Sequence, residues 1–277
     1  MGNVVAFGGA WLSVRSQGGR LLLRVEDIDR ERSRDEIAEG QRRDLEWLGL
    51  CWDEETLRQS ERDYAPWLRA LSSTTYRCQC TRRQVREAGG VYPGTCRDLD
   101  HQQGALRLRL PSGGRGFLDQ SCGQQQMSFE HTSDPILVTR VGNVAYPLAV
   151  VVDDIADGVT EVVRGCDLLA HTAAQMELWE LLGASPPSYQ HMPMVLGSDG
   201  RKLSKSHAST SVRELREAGW SAQDVWRCVL PWLGIHGAET LSDAAERYLP
   251  SGVQRGPITV LRATRPGELD YGALTSR

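Results

Sequence analysis

The chain has 277 residues, a formal net charge of −4 and 40% hydrophobic residues, a length that can bury one large core or two small ones. This charge excludes a uniformly basic nucleic-acid binder. The longest uninterrupted apolar runs are far shorter than a bilayer span, and the start of the chain does not resemble a signal peptide. The seven cysteines lack even, disulfide-like spacing, which favours the reduced cytosol over a secreted scaffold. Together these features predict a cytoplasmic protein without a membrane segment.

The first part of the chain predicts a helix, a strand and two further helices. Residues 1–19 form an apolar run with small residues that ends in two glycines, which is typical of a helix and its stop. Residues 20–27 (RLLLRVED) have the Leu and Val content of a buried parallel strand. Ser33 and Glu36 have the spacing of a capping box ahead of the next helix, and residues 60–74 predict another.

The middle of the chain predicts strands followed by a long helix. Strand-like runs occur at 134–140 (DPILVTR), 143–154 (NVAYPLAVVVDD) and 158–165 (GVTEVVRG). A helix is predicted over 167–183. Strands that alternate with helices in this way favour an α/β fold with a Rossmann-like parallel sheet.

The sequence predicts a division of the chain into two parts. We expect a first domain over residues 1–207 that contains an insertion at about 76–115, where helical and strand periodicity is lost. Residues 208–277 predict a small C-terminal region of short helices, with a loosely held tail from Pro250 that is rich in Gly, Pro and Arg.

The insertion carries a cluster of cysteines. Cys78, Cys80 and Cys96 fall within 19 residues around a Gly-Gly turn. Three thiolates at this spacing are typical of a structural zinc site, although cysteines also serve as small buried apolar residues. The cluster in a Gly- and Arg-rich loop favours zinc.

A closed tetrahedral zinc site needs a fourth ligand beside three thiolates. By residue type His101 is the usual candidate, and Asp98 or Tyr92 are less usual ones. The residues alone leave this choice open.

The insertion is also the locally basic part of an acidic protein. Residues 77–115 hold eight arginines against three acidic residues. Such a patch can contact the phosphates of a nucleic acid. A solvated surface in an arginine-rich chain explains the pattern equally well, so both interpretations stay open.

Lysine is confined to one loop. Thirty of the 32 basic residues are arginine, and the other two are Lys202 and Lys205 in the segment 199–207 (DGRKLSKSH). Lysine carries a compact, mobile ammonium, whereas arginine presents a rigid planar fork. A lysine on a loop hinged at Gly197 and Gly200 can follow a phosphate as its negative charge develops, so the loop predicts a phosphate contact.

The KLSKS motif of this loop resembles the KMSKS signature of class I aminoacyl-tRNA synthetases. Further stretches resemble the glutamyl-type enzymes, in family order over residues 2–207: LLLRVEDIDRERS, LEWLGLCWDE, YPLAVVVDDIADGVTEVVRGCDLL and YQHMPMVLGSDGRKLSKS. The chain is most similar to the short glutamyl-queuosine tRNA(Asp) synthetase family, which lacks an anticodon-binding domain. Only about 70 residues follow the lysine loop. A fragment of a full-length glutamyl-tRNA synthetase would need coding sequence beyond Arg277.

The resemblance implies a ligase that activates L-glutamate with ATP, accompanied by Mg²⁺, and transfers the glutamyl group to the queuosine base of tRNA(Asp). It implies that Glu26 receives the ammonium of glutamate and that Tyr146 and Arg164 complete the glutamate site. It assigns Lys205, with Lys202 nearby, to the phosphates of ATP. No side chain is expected to act as a covalent nucleophile.

The resemblance also implies the ligands of the metal. That family holds one structural Zn²⁺ per chain, and its ligand positions match Cys78, Cys80, Tyr92 and Cys96 of this sequence. The resemblance therefore favours Tyr92 over His101 as the fourth ligand. A monomer is expected.

The start of the chain departs from the family. The family begins with a strand, a Pro-Ser-Pro-Thr-Gly-like loop and a His-x-Gly-(His or Asn) element, and residues 1–3 align with the end of that element. We therefore expect the first strand to be missing, an open sheet edge in its place, and no activation of glutamate by the chain as written. Either the true start lies upstream, or the chain is a truncated, inactive relative that acts as a tRNA- or zinc-binding protein.

Overall fold

The computed structural model describes residues 1–29, 31–197, 199–200, 211–265 and 268–273, with side chains as far as residue 260. Its helices are α1 (Gly2–Ser16), α2 (Asp35–Trp47), α3 (Ala65–Ala70), α4 (Arg82–Glu87), α5 (Tyr146–Ala156), α6 (Thr172–Leu181), α7 (Val212–Glu217), α8 (Ala222–Val229) and α9 (Leu241–Arg247). Its strands are β1 (Leu22–Leu23), β2 (Glu54–Glu55), β3 (Thr75–Cys78), β4 (Ala105–Leu108), β5 (Gly114–Asp119), β6 (Gly123–Ser128), β7 (Ile136–Val138), β8 (Glu161–Gly165), β9 (Ser188–Met192), β10 (Val195–Leu196), β11 (Ile258–Arg265) and β12 (Glu268–Ala273).

Parallel strands carry the α/β fold. β5, β9 and β8 run parallel in a sheet of order β6-β5-β9-β8, in which β6 is antiparallel to β5. β1 and β2 form a separate, short parallel pair. The predicted parallel sheet is confirmed, but the strand expected over 20–27 has only two residues in regular pairing.

The segment predicted as a strand over 143–154 is a helix, and that prediction is wrong. α5 begins at Tyr146, with Pro147 in its first turn, where a missing N–H costs nothing. Every residue from Leu148 to Asp154 is buried. An element that is buried on all sides has no amphipathic period, so its apolar run does not distinguish a helix from a strand.

The start of α2 also differs from expectation. Arg34 occupies the cap position and no side chain caps the helix, so the predicted capping box of Ser33 and Glu36 does not form. The N–H of Ser33 instead bonds to the carbonyl of Asp29 at 2.9 Å. This turn places Ser33 one residue before the cap position, where its hydroxyl cannot accept a hydrogen bond from the N–H groups of the first helical turn.

One hydrophobic core joins the two ends of the chain. It combines Val5 and Leu12 of α1 with the C-terminal residues Trp226 and Leu233. The helix approaches these residues closely, because a Cβ atom added at Gly8 would lie 2.8 Å from the ring of Trp226. The C-terminal helices thus pack on α1, across the boundary expected after residue 207.

The C-terminal region contains strands as well as the predicted short helices. β11 lies parallel to β10 and antiparallel to β12, so the segment after Pro250, which was expected to be a loosely held tail, contains two paired strands. Ile258 is 2% exposed and anchors β11 in the core. Its β-branched Ile-Thr-Val start favours a strand, a signal that the surrounding Gly, Pro and Arg concealed. Within the described residues we find no helix with the length and apolarity of a membrane span.

Candidate functional site

An open cavity of about 1160 Å³ lies between β1 and β8. Residues of α1 and α5 complete its walls, among them Val14 and Val150. In the part of the chain that the structure describes, β1 pairs only with β2, and β8 is the last strand of its sheet.

The three predicted glutamate contacts all line this cavity. Glu26 follows β1, Tyr146 opens α5 and Arg164 lies on β8. Partial loss of solvent in the cavity wall raises the pKa of Glu26, whose side chain is 45% exposed, although the nearby charge of Arg24 opposes this shift. Burial, together with the charge of Glu26, also raises the pKa of Tyr146, while Arg164 opposes it. The structure thus brings together side chains that are far apart in sequence.

A buried ionic network supports the same wall. Arg24 donates to Asp154 at 2.6 Å and to Asp157 at 3.0 Å, and both acceptors lie at the end of α5. Arg62 pairs with Asp153 at 2.7 Å. These contacts attach the chain around β1 to the helix that carries Tyr146.

Arg164 is held from behind by side chains that the sequence analysis missed. Its Nε donates to His191 Nε2 at 3.1 Å and its Nη2 donates to Thr172 Oγ1 at 2.9 Å. His191 Nδ1 lies 2.6 Å from Asp119 Oδ2. The available signal was that Asp119 and His191 stand near the carboxyl ends of parallel strands, where α/β proteins bind their ligands.

The predicted cysteine ligands also converge. The Sγ atoms of Cys78, Cys80 and Cys96 lie within 4.8 Å of one another. Cys78 closes β3, which pairs with β4 in a small antiparallel sheet. Burial, aided by the neighbouring Cys96 thiol, raises the pKa of Cys80 to about 11.

Tyr92 belongs to this cluster, whereas His101 does not. The Tyr92 hydroxyl accepts a hydrogen bond from the N–H of Cys96 at 2.8 Å, and Tyr92 is 4% exposed. Burial raises the pKa of Tyr92, and its contacts with the Cys78 and Cys96 thiols raise it further. Among the described residues, the group whose donor atoms meet contains only the three cysteines and neither histidine nor carboxylate.

The lysine loop lies outside the described residues. Lys202 and Lys205 fall within 201–210, so their assignment to the phosphates of ATP stays a prediction. Gly200, just ahead of the loop, has a φ of 72°, a backbone conformation that favours glycine.

Comparisons with known proteins agree with this architecture. The family model for the catalytic domain of class I tRNA synthetases (E and Q) matches residues 2–91 and 95–238. A glutamyl-Q tRNA(Asp) synthetase of Nitratidesulfovibrio vulgaris is 44% identical over 257 residues, which covers 81% of this chain and 79% of that protein. The protein of the same name from Pseudomonas putida is 38% identical and covers 91% and 89% respectively.

Solved structures show the same fold. A glutamate tRNA ligase from Elizabethkingia meningosepticum, in complex with its amino acid, has a TM-score of 0.79 at 22% identity. A glutamate-tRNA synthetase from Elizabethkingia anophelis has a TM-score of 0.80 at 22% identity. Each covers 93% of this chain, which spans 64% of their length.

The parallel sheet, its cavity and these matches together define the catalytic domain of a class I tRNA synthetase, which is a ligase. The chain belongs to the E and Q family of these enzymes, in the group of the glutamyl-Q tRNA(Asp) synthetases.

Proposed function

We propose that this protein activates L-glutamate with ATP and transfers the glutamyl group to the queuosine base of tRNA(Asp). The observation that carries the proposal is the convergence of Glu26, Tyr146 and Arg164 on one cavity. The names of the relatives, glutamyl-Q tRNA(Asp) synthetases, support the choice of amino acid and tRNA.

The cavity offers each charge of glutamate a partner. The carboxylate of Glu26 suits the ammonium group, and the guanidinium of Arg164 suits a carboxylate of the substrate. The Tyr146 hydroxyl lies near Arg164 and can share that carboxylate. Reaction of glutamate with ATP gives glutamyl-adenylate and releases pyrophosphate, so the protein would act by positioning and by electrostatic stabilisation.

The remaining charge in that step develops on the phosphates of ATP. Lys205, with Lys202 beside it, would stabilise this charge as pyrophosphate leaves. ATP would bring Mg²⁺, which neutralises phosphate charge. We infer a monomer, since Glu26, Tyr146 and Arg164 of one chain line the same cavity. The names of the relatives, tRNA synthetases, support a cytoplasmic location.

The donor set of the insertion fits a structural Zn²⁺ ion. Three convergent thiols and a buried phenol would form a closed tetrahedral site from Cys78, Cys80, Tyr92 and Cys96. The three sulfurs would bind as thiolates, and the charge of the cation would offset their mutual repulsion. The ion would hold the ends of the insertion together and would take no part in the reaction.

A purely binding role is the less favoured alternative. A tRNA- or zinc-binding protein without catalysis would have no need of matched partners for an amino acid in the cavity. The relatives over most of the chain also carry the name of a synthetase.

Glutamate-dependent exchange between ATP and pyrophosphate tests the proposal. We expect the protein to catalyse exchange with L-glutamate and not with L-aspartate. Arg164→Ala should reduce this exchange by at least about tenfold, the scale of one lost charged contact. Arg213→Ala is the matched control, because Arg213 forms an exposed ion pair with Glu217 at 2.9 Å and does not line the cavity. Exchange that does not depend on glutamate, or that survives Arg164→Ala unchanged, would contradict the proposal.

A further inference from the structure

Three adjacent parallel strands contribute one chain of buried polar groups behind the cavity. Asp119 ends β5, His191 lies on β9 and Arg164 lies on β8, where it is the direct register partner of His191. Asp119 and His191 are each 1% exposed, so no bulk water reaches them. The two links measure 2.6 Å between Asp119 Oδ2 and His191 Nδ1, and 3.1 Å between His191 Nε2 and Arg164 Nε.

These contacts fix the tautomer of His191. A guanidinium N–H can only donate, so Nε2 of His191 must be the accepting, unprotonated nitrogen. The proton of a neutral imidazole then sits on Nδ1 and is donated to Asp119. If the proton were on Nε2 instead, the N–H groups of His191 and Arg164 would face each other across 3.1 Å, and neither could accept a hydrogen bond.

Asp119 is built as a permanent acceptor. Burial alone would raise the pKa of Asp119, yet hydrogen bonds from His191 and from the N–H of Cys122 lower it overall. Its Oδ1 accepts from the N–H of Cys122 at 2.7 Å and of Ser121 at 3.1 Å, which leaves Oδ2 for His191. A buried carboxylate held in this way keeps the imidazole proton on Nδ1.

The contacts from Asp119 through His191 leave the outer part of Arg164 facing the cavity. His191 and Thr172 occupy Nε and Nη2 of the guanidinium, and the ring of Tyr189 lies 5.2 Å from its Cζ atom. Arg164 nevertheless lines the cavity beside Tyr146. A guanidinium fixed on its inner edge loses little conformational entropy when its outer edge binds a carboxylate.

We propose that Asp119 and His191 are positioning residues, which orient Arg164 to bind a carboxylate of glutamate. The inference rests on the proposed function, because it needs glutamate in this cavity. A role in stability alone is the competing explanation, since the same hydrogen bonds also join three strands. The two explanations can be told apart by moving the proton of His191 to its other ring nitrogen while the side chains keep their volumes. Only the positioning role predicts that the affinity for glutamate then falls.

Asp119→Asn makes that change. The amide keeps the shape of the carboxylate and can still accept from the backbone, but its NH₂ group would face His191 Nδ1. The imidazole proton would then move to Nε2, against the N–H of Arg164. We expect ¹⁵N NMR of histidine-labelled protein to show the Nδ1–H form of His191 in the unsubstituted protein and the Nε2–H form in Asp119→Asn. Titration calorimetry should show a dissociation constant for L-glutamate raised at least about tenfold, and one for ATP unchanged.

Two further variants separate positioning from stability. His191→Gln keeps a carbonyl oxygen that can accept from Arg164 and should retain more glutamate affinity than His191→Leu, which has no acceptor. Gln190→Met is the matched control, because Gln190 neighbours His191, is fully buried, and bonds to Tyr248 at 2.6 Å and Ser121 at 2.8 Å instead of Arg164. We expect it to lower the melting temperature without changing glutamate affinity.

Each outcome decides between the accounts. If Arg164→Ala loses glutamate binding and Asp119→Asn does not, the positioning role of Asp119 and His191 is overturned while the proposed function stands. An Nε2–H or doubly protonated His191 in the unsubstituted protein at neutral pH would also overturn it. If Arg164→Ala binds glutamate as tightly as the unsubstituted protein, the proposed function fails, and the positioning role fails with it.

Discussion

Arg24 and Asp154 form an ion pair of 2.6 Å that joins the segment after β1 to α5. The side chains are 14% and 9% exposed, and Asp157 accepts a second bond from Arg24 at 3.0 Å. Glu26 lies two residues beyond Arg24, and Tyr146 begins the helix that carries Asp154. The pair therefore sets the separation of two candidate glutamate contacts.

We expect Arg24→Met to lower the free energy of unfolding by about 3–5 kcal/mol, because it leaves the buried carboxylate of Asp154 without its cation, while Asp157 keeps Arg62. Denaturant unfolding followed by circular dichroism measures this. The control is Arg83→Met, whose ion pair with Glu87 is exposed and should contribute about 0–1 kcal/mol. A similar small change for both variants would show that the buried network does not hold β1 to α5.

The close contact between α1 and the C-terminal region gives a second prediction. Gly8→Ala would place a Cβ atom 2.8 Å from the buried ring of Trp226. We expect it to lower the free energy of unfolding by about 1–3 kcal/mol through overpacking, although alanine favours a helix. Gly40→Ala in α2 has no atom within 4 Å and should be neutral or stabilising by up to about 1 kcal/mol.

Thermal melting compares the two glycine variants. A melting temperature of Gly8→Ala above that of Gly40→Ala would show that α1 does not pack against Trp226 as described. Equal melting temperatures would contradict the overpacking argument in the same way.

Local sequence patterns predicted the elements whose ends carry a clear signal. Gly18 has a φ of 64° and follows α1, the helix that the two glycines were expected to end. Patterns failed for α5, because a helix buried on all sides has the same continuous apolar run as a buried strand. They also failed for β11, whose pairing with β10 depends on tertiary contacts.

The site was predictable only in part. Glu26, Tyr146 and Arg164 were found through family resemblance, and they converge because the sheet brings distant segments together. Asp119 and His191 are 72 positions apart and meet only across paired strands. No local period or spacing encodes such a contact, so sequence reasoning that treats each segment separately cannot find it.

The thiol cluster predicts one Zn²⁺ ion per chain. Cys78→Ser combined with Cys96→Ser should abolish zinc binding, because two oxygens cannot replace two thiolates in a tetrahedral site. Metal analysis of the purified protein measures this. Tyr92→Phe should weaken zinc retention against a chelator, whereas His101→Ala should not. Full zinc in the double variant would exclude the site, and loss of zinc in His101→Ala alone would show that the fourth ligand is His101.

The confinement of lysine to one loop predicts that arginine cannot replace Lys205. A loop that follows a leaving pyrophosphate needs a compact ammonium that can reorient, and a rigid fork fits the transition state less well. We expect Lys205→Arg to reduce glutamate-dependent ATP–pyrophosphate exchange by about 10- to 100-fold, with glutamate binding little changed. Arg213→Lys, an exposed ion-pair residue, serves as the control. Near-normal exchange by Lys205→Arg would mean that the position does not require lysine.

Transfer of labelled glutamate to tRNA tests the central claim most directly. The protein, ATP and [¹⁴C]glutamate would be incubated with tRNA(Asp) that carries queuosine and, in parallel, with the same tRNA that lacks it. We predict ATP-dependent labelling of the queuosine-containing tRNA alone, and its loss in Arg164→Ala. Equal labelling of both tRNAs, or labelling of neither, would contradict the proposed function.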